Sequence, residues 1–230
     1  MAATLPQGEE KARAVRAMFD TIAPRYDLVN RVMTFGLDVR WRRRTVRALD
    51  LAPGATVLDL ACGTGDLSRD LARAGYRALG ADVSLGMLGH NRTGAPLVQA
   101  DALALPLADA SVDGAVSGFA LRNFVALPPV LAELARVVQP GGRVALLEVA
   151  KPPGFYFQRV VPRIGGLLSD PSAYRYLPRS VAYLPPPAEL CSLLRDAGFG
   201  SVTRTSLSAG VAQLLVATRT VTTATERIGA

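Results

Sequence analysis

The chain has 230 residues, half of them hydrophobic and 20% charged, with a formal net charge of +7. That balance suits a packed core rather than a disordered chain, in one domain or two small ones. The first residues lack an apolar signal core, and no run of about 18 apolar residues could span a bilayer. The two cysteines, Cys62 and Cys191, make neither a disulfide framework nor a zinc site, so a reducing cytosol fits.

In chain order, residues 9–19 read as a short helix with acids at its start and bases later. Residues 24–50 read as two more helices around a turn at Phe35-Gly36-Leu37-Asp38. Val29, Val32 and Met33 share a face of the first; Val39, Val46 and Leu49 lie among arginines on the second. Thr56 to Ala61 is an apolar strand broken only by Asp59, as a parallel strand buried on both faces should be. A helix over 67–75 follows, with Asp66 near its start and Gly75 at its end. Residues 77–84 form the second strand, Ser84 caps a helix over 85–91, and residues 96–102 and 112–121 form the third and fourth strands. A helix over 127–139, ended by Pro140-Gly141-Gly142, leads to a fifth strand at 143–150.

This alternation defines a doubly wound, open α/β sheet, with ligands expected at the C-terminal strand ends. A helix at 185–197 and strands at 201–207 and 210–218 close it with an antiparallel pair, about seven strands in all. Residues 151–184, rich in Pro, Tyr and Arg, fit no regular element and read as a lid insertion. The chain thus divides into an N-terminal helical part (1–50), a main domain (51–218) carrying the lid, and a tail (219–230).

The run VLDLACGTGD, residues 57–66, carries the chemistry. A dinucleotide fingerprint would have a third glycine where Ser68 stands. Its pyrophosphate would sit on the helix N-terminus, where Asp66 repels it. No P-loop run and no nearby lysine supports a nucleoside triphosphate. A cationic ligand without phosphate fits, and S-adenosylmethionine is one. Gly63 and Gly65 let the backbone approach it. Asp59, Asp66 or a loop carbonyl would hold its ammonium. Asp82, about 20 residues beyond the loop, suits the ribose hydroxyls. Asp101, with Ala102 beside it, suits the adenine amino group. Each acid alone could equally be a solvated loop residue; together, at successive strand ends, they outline one crevice.

The segments MFDTIAPRYDLVNRVMTFGLDVRWRR, VLDLACGTGD, GADVSLGML, QADALALPLADASVDGAVSGFALRN, LARVVQPGGRVALLEVAKP and AYRYLPRSVAYLPPPAELCSLLRDAGF follow one another in order. Over roughly residues 15 to 218 the chain closely resembles the demethylmenaquinone and ubiquinone C-methyltransferase family. The resemblance implies a Rossmann-like, seven-stranded class I methyltransferase sheet with an N-terminal helical cap and a lid. Its cofactor contacts carry over to Thr64, Asp82 with the neighbouring Val83, and the Asp101–Ala102 pair. Many members have Ser where Gly118 stands; EFSKP becomes EVAKP at Glu148 to Pro152, a common histidine becomes Leu215, and the region after Pro152 is shortened.

The implied reaction is C-methylation of a polyprenylated quinol, demethylmenaquinol to menaquinol. Arg122, beside Asn123, would stabilise a phenolate or orient a water serving as base; a salt bridge is its structural alternative. Tyr26, with Asp27, would close over the cofactor, and Tyr174 and Tyr176 would serve in the lid. His90, the single histidine, is a weaker candidate. The isoprenoid tail implies a cytoplasmic enzyme that meets the inner face of the membrane, with a homodimer left open. Trp41 and the arginines Arg40, Arg42, Arg43, Arg44 and Arg47 suit such an interface, or an ordinary capping helix. The basic charge alone fits an arginine-rich composition as well as an anionic partner. No aromatic-and-basic RNA-binding signature is present, which argues against nucleic acid. A small-molecule methyltransferase of secondary metabolism and a non-catalytic scaffold that binds S-adenosylmethionine are the competing readings.

Overall fold

The structure, a computed structural model, describes residues 7–150, 176 and 179–221. Most of the lid, Tyr174 and the chain after residue 221 lie outside them. The N-terminal part is helical: α1 (Gly8–Ile22), a single turn at Ala23–Arg25, α2 (Tyr26–Met33) and α3 (Leu37–Leu49). The main domain then alternates as β1 (Thr56–Leu60), α4 (Asp66–Arg73), β2 (Arg77–Asp82), α5 (Leu85–Gly89), β3 (Leu97–Gln99), β4 (Val112–Gly118), α6 (Leu127–Val137) and β5 (Val138–Val149). After the lid region come α7 (Pro187–Asp196), β6 (Phe199–Leu207) and β7 (Ala212–Arg219).

The seven strands make one sheet in the order β3-β2-β1-β4-β5-β7-β6. β1 to β5 pair in parallel, and β7 inserts antiparallel between β5 and β6. The strand order reverses between β1 and β4, so a crevice opens there above the C-terminal ends. Leu58, Ala115, Val144 and Leu146 face a core under α6 and α7. Val57, Val116, Ala145 and Leu147 face the other layer, with Trp41, Leu49, Leu67 and Leu71 from α3 and α4. Burial on both faces explains why these strands read as nearly continuous apolar runs. A third cluster, Ile22, Ala23, Val29, Met33 and Met87, seats the N-terminal helices on α5.

Three sequence expectations change. The segment Gln139–Gly142 does not end a helix. Helix α6 stops at Val137, Val138 already pairs with Val112, and the ladder resumes at Gly114 and Arg143. The Pro-Gly-Gly run is therefore a bulge within β5. The sheet also extends past the expected boundary of the tail: Arg219 closes β7 and donates to Ala135 and Gly198 carbonyls, each at 2.8 Å. Finally, Trp41 is buried at 6% exposure; its indole N–H donates to Ser208 Oγ at 2.9 Å and its ring meets Phe119 edge-on. It cannot be an interfacial anchor. Ser84 behaves as expected, accepting from Met87 N at 3.0 Å as the cap of α5.

Candidate active site

A cavity of about 430 Å³ lies over the crevice, between the strand ends and the N-terminal helices. Its floor is β1 and the loop after it. Ala61 turns into a left-handed conformation (φ 57°), and Gly63 follows at φ 53°. Phe119, just after β4, also has φ 61°. Non-glycine residues held in this region are strained, and here both line the cavity.

The acids take distinct roles. Asp59 is fully buried. Its Oδ2 accepts from Ser68 Oγ at 2.6 Å, while Oδ1 is buried with no partner. Burial pushes its carboxyl up to about 7, with the neighbouring Asp82 and Asp66 charges adding to the rise. Asp82 accepts from Gly63 N and from Ser84 N, both at 2.8 Å, so it also shapes the loop. Burial raises its carboxyl above the ordinary range against those bonds. Asp101 is exposed and accepts from Leu103 N at 2.9 Å, with Ala102 buried beside it. Asp59, Asp82, Val83, Asp101 and Ala102 all line the cavity, as do Gly63 and Thr64.

Asp66 also lines the cavity. It pairs with Arg42 at 2.9 Å and with Arg69. Arg42, expected on an exposed basic face, is buried among Asp38, Asp66 and Asp70. The charge of Asp66 is thus balanced by Arg42 and Arg69. Gly65 does not line the cavity. It lies behind the loop at φ 87°, where an added Cβ would stand 2.4 Å from Thr93 Cγ2. Asn91 on that side donates to Gly63 O at 3.2 Å and braces the loop.

The N-terminal helices are tied to this floor. Thr64 Oγ1 donates to Asp27, which Arg69 also approaches at 3.6 Å. Asp20 accepts from Ser84 Oγ at 2.5 Å and from Gly86 N at 2.9 Å. Lys11 is buried, donates to Phe124 O at 2.6 Å, and lies 3.7 Å from the centre of the Tyr183 ring. Burial lowers its ammonium to about 8. Sequence reading missed Asp20 and Lys11, since nothing in a helical repeat distinguishes a buried latch from a solvated charge.

Arg122, Asn123 and Tyr26 also line the cavity. Arg122 is 7% exposed and is engaged on several sides. Its guanidinium pairs with Glu148, its Nε donates to Ser180 Oγ at 3.1 Å, and its backbone N–H donates to Glu148 Oε2 at 3.2 Å. Glu148 is fully buried at the end of β5 and also accepts from Val149 N at 2.8 Å. Its place in the EVAKP segment was read only as part of a motif. Asn123 donates to Phe119 O at 3.3 Å and accepts from Tyr176 at 3.2 Å. Burial raises the Tyr26 phenol, the bond to Asn30 and the Arg122 charge opposing it. Tyr26 packs edge-on against Phe19. Gly118 lines the cavity, and a Cβ there would come within 2.9 Å of Leu67 Cδ1. His90 lies outside the cavity: its Nδ1 sits 2.8 Å from Gly86 O, on the surface.

The floor fits S-adenosylmethionine: a buried carboxylate oxygen without a partner, a second acid on the next strand, and glycine-backed turns. The remaining walls are mostly apolar, with Val15, Phe19, Met33, Leu67 and Val130 among them.

The model of the ubiE/COQ5 methyltransferase family matches residues 7–219. The demethylmenaquinone methyltransferase of Thermus thermophilus is 45% identical over 221 residues, spanning 88% of this chain and 100% of the relative. The ubiquinone/menaquinone biosynthesis C-methyltransferase UbiE of Syntrophotalea carbinolica is 41% identical over 219 residues, 86% of this chain and 91% of the relative. In fold, the chain is similar to a SAM-dependent methyltransferase from Thermotoga maritima (TM-score 0.66, 19% identity, 89% and 99% covered). It is also similar to one from Aquifex aeolicus (TM-score 0.59, 19% identity, 77% and 89% covered).

Proposed function

The chain belongs to the ubiE/COQ5 methyltransferase family, and on that premise we propose that it methylates a ring carbon of a polyprenylated quinol, converting demethylmenaquinol to menaquinol. Relatives named for that activity share about two residues in five with it. S-adenosylmethionine, when bound, supplies an electrophilic methyl group. The observation that carries the reading is the polarity of the cavity. Asp59, Asp82 and Asp101 share one cavity with Arg122, and the remaining walls are mostly apolar.

The chain's own residues then divide the work. The buried, partnerless Oδ1 of Asp59 accepts an ammonium hydrogen, Asp82 accepts from ribose hydroxyls, and Asp101 with Ala102 borders the adenine. A quinol ring carbon becomes a nucleophile once the adjacent hydroxyl ionises. Arg122 favours that ionised oxygen by its charge, and Glu148 fixes where the charge stands. Tyr26 and Asn123 orient the ring, and the N-terminal helices exclude water. The tail of such a quinol lies in a bilayer, so the enzyme works at the cytoplasmic face of a membrane. Incubation with methyl-labelled S-adenosylmethionine and a short-chain demethylmenaquinol under reducing conditions should label the quinol. Cofactor binding with no labelled quinol would overturn the substrate and leave a methyltransferase of another small molecule.

A further inference from the structure

The surface of α2 and α3 has two features that the chemistry of the cavity does not use. Along α2 and the turn after it, Leu28, Val32 and Phe35 recur at helical spacing and are 58%, 38% and 77% exposed. Along α3, Arg40, Arg43, Arg44 and Arg47 are exposed and line a cleft closed on its far side by Ser206 and Ser208. The acids of the same stretch are engaged by the fold, and Asp38 is buried. Asp27 accepts from Thr64 and Asp38 pairs with Arg42. Just past α3, Asp50 faces Arg143 at 3.2 Å. Within α3 itself, Leu37–Leu49, the exposed charged residues are therefore all arginines, with the exposed Asp50 at its C-terminal cap.

The cleft and the cavity adjoin. Leu37 and Trp41 line both. Phe35 lines the cavity while mostly exposed, which puts it at a mouth. An apolar row, a cationic cleft and a cavity mouth thus meet around one turn.

We propose that this α2–α3 surface docks on an anionic lipid bilayer. Leu28, Val32 and Phe35 enter the acyl boundary, and the arginine cleft takes phosphodiester headgroups. The mouth beside Phe35 faces the membrane, from which a lipid substrate enters without crossing water. The choice of a bilayer rests on the reading of the substrate as a lipid quinol, together with charge complementarity and the apolar row. A nucleic acid would satisfy the arginines through its phosphates but leave the aliphatic Leu28 and Val32 in water. Interfacial helices combine both properties.

The test is cosedimentation of the full chain with vesicles of phosphatidylcholine, with and without about one third phosphatidylglycerol. Binding to the anionic vesicles should exceed binding to the neutral ones and fall as salt is raised. The R43Q/R44Q variant, altered at two exposed positions outside the cavity, should bind the anionic vesicles about thirty-fold more weakly. It should keep native affinity for S-adenosylmethionine, which certifies its fold. Leu28→Ser should weaken binding at low and high salt alike. Equal binding to neutral vesicles, no binding to anionic ones, native vesicle binding by R43Q/R44Q, or tighter binding to an RNA oligonucleotide than to vesicles each overturns the proposal. Turnover of a soluble short-chain demethylmenaquinol tests the catalytic reading separately. Vesicle binding without such turnover removes the quinol reading and leaves the docking surface in place.

Discussion

Asp59→Asn separates the cost of a buried carboxylate from its use. The native carboxylate accepts from Ser68 through Oδ2 and has a buried, partnerless Oδ1. Burial moves its pKa from 3.8 to about 7. A rise of about three units corresponds to roughly 4 kcal/mol of destabilisation once both folded and unfolded carboxyls are ionised. The sign follows from a folded value above the unfolded one. The folded chain keeps a proton that the unfolded chain has released, so stability falls as pH rises from about 4 to about 7 and stays low above that. Asparagine carries no charge and can still accept from Ser68, but it buries an amide NH₂ at a cost of roughly 1–3 kcal/mol. The ligand-free variant should therefore gain about 1–3 kcal/mol in urea titrations at pH ~8, and gain nothing or lose stability at pH ~5. With S-adenosylmethionine the order reverses. A charge-assisted bond to the ammonium is worth about 1.5–3 kcal/mol, so calorimetry at pH ~8 should show affinity lower by about 10- to 150-fold. Loss of stability at pH ~8 together with unchanged affinity would refute both halves of the reasoning.

Asp82→Ala removes two bonds that hold the loop as well as the proposed ribose contact. S-adenosylmethionine affinity should fall at least about tenfold, and an unchanged affinity would remove the ribose assignment. Glu148→Gln leaves the Arg122 guanidinium buried without its counter-charge and should cost about 3–5 kcal/mol in denaturant unfolding. Loss of less than about 1 kcal/mol would show that the buried Arg122 does not depend on the Glu148 charge. Gly118→Ser restores the residue common in the resembling family, yet its Cβ would meet Leu67 Cδ1 at 2.9 Å. A loss of about 1–3 kcal/mol is expected. Leu67→Val in the same chain should recover part of it, and a purely additive double mutant would show that the two side chains do not collide.

The parallel sheet and its ligand edge were legible because the central strands are apolar on both faces and an acid stands at or just past the ends of β1, β2 and β3. Asp59, Asp82 and Asp101 could be placed by counting strand ends, and all three reach one cavity. Charge pairing across elements could not be read this way. Asp66 and Arg42 stand 24 positions apart, yet they neutralise each other because α3 packs beside the start of α4. The same blindness hid Glu148, whose role depends on a neighbour in the next strand's loop, and Lys11, whose partners lie over a hundred residues away. Trp41 misled for the opposite reason. Flanking arginines suggest an interface, but its own turn of helix faces Phe119 and Ser208. Phase along a helix decides such cases, and a run of arginines supplies no apolar phase to count.

The distribution of charge also bears on rate. The buried carboxyls Asp59 and Asp82 stand at the ends of β1 and β2, while the guanidinium of Arg122 stands just past the end of β4. On the proposed reading, a cationic methyl donor meets the carboxyls and an ionised quinol meets the guanidinium, and methyl transfer between them leaves both neutral. In water such a reaction loses the solvation of two ions on the way to the transition state. In a cavity with apolar walls that solvation has already been exchanged for fixed groups, so less reorganisation remains to be done. The arrangement works only if Arg122 keeps its position when the quinol arrives. Three bonds to Glu148 and Ser180 provide that, at the price of sharing its charge with a buried carboxylate. Arg122→Lys, which keeps the charge but cannot reproduce the guanidinium's several donors, should therefore slow turnover by about tenfold or more while sparing S-adenosylmethionine affinity. Equal losses in both would place Arg122 in the cofactor's half of the cavity instead.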